Sequence, residues 1–251
     1  MTRGRWRGVL IGLLAVLAGT SVLAQRGGYS RGSYTANVKY DGRFVFVRMS
    51  YPDSFSRRGP FWAHDYPRGE EHFLKILSEL TSVATHVTES SVMSWSDSEV
   101  FKFPVVYMCE PGYFTLSGDA EVKNFRAYLQ KGGFLILDDF RGNDWGYMEQ
   151  QVARAFPEGR WVDLDAQSPV FHAFFEIESL DIIPQAYDNG RPRFRGMYED
   201  NDPRKRLMIV AAYNTDISEF WEWSDTGLKP IDESNEAYKL GVNYIIYGMT
   251  H

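Results

Sequence analysis

Phe134-Leu135-Ile136-Leu137-Asp138-Asp139 decides the fold. Four consecutive apolar residues without polar alternation read as a strand covered on both faces, the pattern of a parallel sheet. Gly132-Gly133 stops whatever helix precedes it. Two adjacent acids end the run, and open α/β sheets bind ligands beyond the carboxyl ends of their strands. Acids next to a buried run are costly unless solvated, paired or liganding. Strand neighbours point to opposite sides, so one of Asp138 and Asp139 is expected to face a cleft. The other is expected to bind backbone or Arg141.

Working outward, residues 104–109 (PVVYMC) form a second buried strand. Between the two, Val122, Phe125 and Leu129 share a helical face. Ser117 is the expected cap, and Asp119 and Glu121 occupy the dipole-favoured first turn. Further upstream, Phe44-Val45-Phe46-Val47 is a strand. Phe73, Ile76, Leu77 and Leu80 mark a helix starting near Pro67, and residues 85–88 are a candidate strand. Downstream, Asp144 is the expected cap of a helix carrying Trp145, Met148, Val152 and Phe156 on one face, and residues 161–164 form another strand. This alternation predicts a doubly wound, mostly parallel α/β sheet over residues 44–165. The pattern then changes. Asp188-Asn189-Gly190 is a hairpin signal ahead of strands at 194–198 and 207–213, which predicts an antiparallel C-terminal extension. Ser234 is the expected cap of a last helix that aligns Leu240, Tyr244 and Tyr247.

The chain's first residues set its expected compartment. Arg3, Arg5 and Arg7 precede an apolar run over 9–18, and Val22-Leu23-Ala24 places small residues where a signal peptidase reads. Residues 1–24 therefore read as a signal peptide, too short and Gly-interrupted for a comfortable span. The expectation is an exported protein, periplasmic or secreted, with no stable membrane span after signal removal. Gln25, not Cys, follows Ala24, which disfavours a lipoprotein. Residues 25–41 read as a flexible linker and 42–251 as one domain. Removing the signal takes the net charge from −6 to −9. Such an acidic balance argues against nucleic acid as a partner. Cys109 is the only cysteine, which excludes an internal disulfide and a thiolate metal cluster.

The string FPVVYMCEPGYFTLSGDAEVKNFRAYLQKGGFLILDDF (103–140) resembles the bacterial family catalogued as domain of unknown function 4159. So do GNDWGYMEQQVARAFPEG (142–159) and FWEWSDTGLKPIDESNEAYKLGVNYIIYGMTH (220–251). The resemblance covers about residues 42–251 and implies a flavodoxin-like, class I glutamine amidotransferase-like fold without an established activity. It also implies that the strand 134–137 leads to the turn where an amidotransferase carries Gly-x-Cys-x-Gly. Asp138-Asp139-Phe140-Arg141-Gly142 stands there instead, so the thiol nucleophile is missing from its place. Cys109 lies one strand earlier, before a Glu110-Pro111-Gly112 loop.

The candidate ligand-binding residues are Glu110, Tyr113, Asp138, Asp139, Arg141, Asp144 and Trp145. Paired carboxylates serve acid–base chemistry or hard cations, though loop-amide hydrogen bonding is the plainer reading of four acids at one edge. Aromatic faces beside carboxylates suit sugar rings. For Trp145 ordinary core packing is the preferred reading, while Trp221-Glu222-Trp223 reads as an extended segment, core or platform. His64-Asp65 can form an oriented base, yet the five histidines show no metal-ligand spacing and are expected mostly on surface or loops. Residues 201–206 are a dense basic turn, read as solvated. No Gly-x-Ser-x-Gly, Gly-x-Gly-x-x-Gly or P-loop string is present, and no cofactor or metal is expected. These features favour a non-catalytic or degenerate domain binding a polar small molecule, such as a glycan or peptide, or an envelope protein. The rival is a carboxylate-based hydrolase, with or without an assisting metal, using Asp138 or Asp139 with Glu110.

Overall fold

Parity along the strands builds two cores. In the computed structural model, Phe44, Phe46, Val105, Tyr107, Phe134, Ile136, Val210 and Ala212 join one apolar cluster. Their alternates Val45, Val47, Val106, Met108, Leu135, Leu137, Ile209 and Ala211 join another. Successive side chains of a strand leave opposite faces, so every central strand must be apolar on both.

The structure describes residues 36–52, 59–183 and 190–251. The signal reading, most of the linker reading, and Asp188 and Asn189 of the expected hairpin lie outside them. The chain divides into two units; the first, Met1–Ser33 with Ser56–Gly59, is described only at Gly59. In the second unit the strands are β1 (Phe44–Met49), β2 (Thr85–Met93), β3 (Val105–Cys109), β4 (Phe134–Phe140), β5 (Trp161–Asp163), β6 (Arg193–Tyr198) and β7 (Leu207–Tyr213). They form one sheet in the order β2-β1-β3-β4-β7-β6-β5. The first five are parallel to one another, and β6 and β5 continue the sheet antiparallel. The protein is thus an α/β fold with a mostly parallel sheet and an antiparallel C-terminal part. The parallel order corresponds to the flavodoxin-like winding, whose switch point lies between β1 and β3.

Helices α1 (Arg68–Leu80), α4 (Ile217–Glu222) and α5 (Ile231–Thr250) cover the first core. Helices α2 (Asp119–Gln130) and α3 (Asp144–Ala155) cover the second. Helix α1 buries Phe73, Leu74 and Leu77, whereas Leu80, counted in the sequence stripe, is half exposed at the helix end.

Several local expectations are corrected. Strand β2 runs well beyond 85–88. Gly118, not Ser117, precedes α2, and Ser117 instead donates its backbone N–H to Glu121. Asn143 precedes α3, and Asp144 turns back to accept the N–H of Arg141. Helix α5 starts three residues before Ser234, whose hydroxyl is buried inside the helix. Trp221 and Glu222 are helical rather than extended, because Asp216 caps that turn through the N–H of Glu219. The basic turn at 201–206 joins β6 to β7, with Arg204 on Asp202 and Lys205 on Asp200. At the other end, Asn37 exchanges two hydrogen bonds with the backbone of Val92, which docks this residue against β2.

Helix α5 lies so close to the sheet that a Cβ at Gly248 would sit 2.6 Å from Val105 Cγ2 and 2.8 Å from Phe134 Cδ1. Gly248→Ala is therefore expected to cost about 1–3 kcal/mol of stability through overpacking. A denaturant titration checks it, and an unchanged midpoint would refute the close approach.

Candidate functional site

Strand β1 carries a charge through the core. Arg48 is fully buried, ion-paired with Glu70 of α1, and donates to the carbonyls of Trp62 at 3.0 Å and His64 at 2.7 Å. Its guanidinium lies 4.9 Å from the ring centroid of Tyr107 on β3. Burial works against the charge, and the Glu70 carboxylate outweighs it and holds Arg48 protonated. The loop after β1 is thereby fixed at its carbonyls, which places His64 over the carboxyl edge of the sheet.

There the imidazole meets three acids. His64 Nδ1 lies 2.8 Å from Asp139, 3.6 Å from Glu110 and 4.0 Å from Asp65. Glu110 follows β3, Asp139 lies near the end of β4, and Asp65 precedes α1. Asp65, Glu110 and Asp139 all have positive φ, at 61°, 44° and 58°. Such left-handed positions are uncommon for residues other than glycine and cluster at functional sites. At Asp139 this conformation breaks the strand alternation, and the register between β4 and β7 shifts there.

Asp138 is turned inward and fully buried. It accepts the N–H groups of Ile217 at 3.0 Å and Ser218 at 3.1 Å, with the Tyr107 hydroxyl at 2.9 Å. Ser218 in turn donates its hydroxyl to Asp65 at 2.6 Å. Asp138 thus secures α4 to the sheet, while Asp139 faces the imidazole. Cys109 is buried, with its sulfur 3.5 Å from Asp139, and burial pushes its thiol well above the ordinary range.

Of the remaining sequence candidates, Tyr113 stacks on Phe61 at 3.7 Å and is half exposed beside the Glu110 loop. Asp144 packs so tightly on Gly112 that a Cβ there would lie 2.4 Å from its own. Arg141 is exposed, its N–H held by Asp144. Trp145 belongs to a different group, with Phe140, Trp161, Tyr213 and Arg195. The structure therefore brings Glu110 and Asp139 together and leaves Trp145 apart. His64 and Asp65, readable in the sequence as an oriented base but outside the candidate set, stand at the centre of the cluster. The only signal was a His-Asp pair after the first strand, and what it lacked was the Arg48 contact that orients the loop. Most histidines are expected on surface or loops; His86 is an exception, buried on β2 between Asp41 and Glu89.

The acids share one small volume, and their proton affinities follow. Burial, then the Asp139 charge, raises Glu110 to about 8 and Asp138 to about 7. Burial, then Asp65, raises Glu222 to about 7. The hydrogen bond to Asp139, helped by the surrounding carboxylates, raises His64 to about 10. Donor atoms of His64, Asp65, Cys109 and Asp139 all lie within 4.8 Å of one another, a nitrogen, oxygen and sulfur set of the kind zinc accepts.

Two predictions follow from this charge arrangement. The raised acids keep their protons in the fold at pH values where the unfolded chain has lost them, so they favour folding least once pH passes about 7–8. His64 contributes fully below its ordinary value and loses its contribution as pH rises through about 10. Both act in one direction, so thermal melts should show the highest Tm near mildly acidic pH and a fall of several degrees towards pH 9. A Tm that rises over that range would contradict the cluster. Separately, Arg48→Met strands the buried Glu70 carboxylate and should cost about 3–5 kcal/mol in denaturant unfolding. A loss below ~1 kcal/mol would show that the pair is not what holds this region.

No helix among the described residues is long and apolar enough to cross a membrane. A search of curated proteins finds no match. The family model described as "Domain of unknown function (DUF4159)" matches residues 43–249, nearly the whole described unit. The chain belongs to this family.

Proposed function

We propose that this chain is an exported binding domain for a polar ligand, a glycan or a peptide, held at the carboxyl edge of the sheet near the β1/β3 switch point. The observation that carries this reading is His64, set among Glu110, Asp139 and Asp65 while its side chain stays 39% exposed and that of Glu110 19%. An imidazole and the partly exposed Glu110 carboxylate at one edge offer both donors and acceptors to hydroxyls or amides. The stacked Phe61–Tyr113 pair beside them supplies a flat apolar surface of the kind a sugar ring covers. Export rests on the arginines and apolar run of residues 1–24. Thiol-based amidotransfer is disfavoured, because the single cysteine is buried and its thiolate is suppressed.

Calorimetric titration with neutral oligosaccharides and short peptides tests this reading. Saturable binding weakened about tenfold or more by Tyr113→Ala and by Glu110→Gln supports it. Binding untouched by both substitutions, or no binding across the panel, overturns it.

One observation favours a second reading, a metal-assisted hydrolase. The donor set around His64 and Asp139 is compact enough to gather on one cation, and a cation can generate a nucleophilic hydroxide from water. In this reading Glu110 is the adjacent carboxylate for proton transfer. Zinc or manganese raising the Tm of the wild-type chain, but not of His64→Ala, together with turnover lost in Asp139→Asn, selects it over simple binding.

A further inference from the structure

A cavity of about 370 Å³ is lined by Gly142, Asn143, Trp145, Gly146, Arg193, Arg195 and Tyr213, and it shares no lining residue with the His64 cluster. Its volume is that of a small-ligand site. Arg193 and Arg195 alternate on β6, so both leave the same face. Among the described residues their one acidic partner is Asp163, 3.6 Å from Arg193 Nη2 and 2.9 Å from Arg195 Nε. Two arginines share one aspartate among these residues, a surplus of one positive charge at the wall. The Arg195 guanidinium carbon lies 4.4 Å from the centroid of the Trp145 ring, a cation–π contact at the cavity wall. The planar guanidinium presents a fork of donors suited to carboxylate or phosphate oxygens. Tyr213 closes the rim through its hydroxyl on the carbonyl of Gly142 at 3.1 Å.

The glycine at 146 points the same way. A Cβ built there meets nothing within 4 Å, so no packing inside the protein requires glycine at this position of α3. Glycine within a helix is unfavourable compared with alanine. Its presence keeps the cavity wall clear.

We infer that this cavity is an oxyanion-binding site for a compact ligand carrying a carboxylate or a phosphate, separate from the site proposed above. The two sources of the charge are separated by probe. Calorimetric titration of the full chain with glucose, glucuronate and glucose 6-phosphate, at matched ionic strength, reads the preference directly. At least one charged sugar should bind about tenfold or more tighter than glucose. Glucuronate leading assigns a carboxylate ligand, and glucose 6-phosphate leading assigns a phosphate. Arg193→Gln should erase the preference for charge, and Gly146→Phe should abolish binding by filling the cavity. Gly146→Ala should leave Tm equal or higher, which shows that helix α3 tolerates a side chain there. Glu110→Gln should leave this binding unchanged, so failure here and failure at the His64 site are distinguishable. No millimolar binding, equal binding of charged and neutral sugars, or a charge preference that survives Arg193→Gln overturns the inference.

Discussion

A guanidinium sealed inside the sheet organises this protein. Arg48 has no exposed surface and meets a carboxylate from α1, two carbonyls from the loop after β1 and the face of Tyr107 on β3. A buried charge must be paired and hydrogen-bonded or it unfolds its surroundings. Satisfying Arg48 therefore fixes three segments at once: the strand that carries it, the helix that supplies Glu70 and the loop that ends at His64. The position of the imidazole over the sheet edge is a consequence of that requirement.

Next to it lies the opposite problem, negative charge crowded into little space. Asp65, Asp138, Asp139 and Asp216 are all buried, and Glu110 stands at the rim. Each has a distinct structural tie. Asp138 receives the amides that open α4, Asp216 caps the same turn, Asp65 takes the Ser218 hydroxyl and Asp139 takes His64. The last pair reaches solvent through the His64 imidazole, a group able to gain or lose a proton. The left-handed backbone at Asp65, Glu110 and Asp139 concentrates strain at the point where function is proposed, and the apolar layers on both faces of the sheet hold it there.

The edge carries two differently charged regions. Around His64 the groups are acidic, with the Phe61–Tyr113 stack beside the Glu110 loop. Beyond the turn at 141–145 the wall becomes basic, with Arg193 and Arg195 against Trp145. Opposite signs within one domain suit ligands of different charge, and the strands that supply them differ in direction: parallel β1, β3 and β4 for the first, antiparallel β6 for the second.

The amino-acid sequence by itself determined the layered fold. Short continuous apolar runs at 105–109 and 134–137, bounded by turn residues, read as strands covered on both faces, and the helical stripe of Phe73 and Leu77 reads as their cover. It also placed Glu110, Asp138 and Asp139 at strand ends, because parallel strands finish on the same side. It did not separate Asp138 from Asp139, since that depends on a backbone turn at one residue and on amides 79 and 80 positions away. Nor did it reveal His64, whose place depends on Arg48 meeting carbonyls that no local pattern records. Helix and strand signals come from neighbours along the chain; a site is made by charges that folding forces together, and only the tertiary structure decides which of them meet.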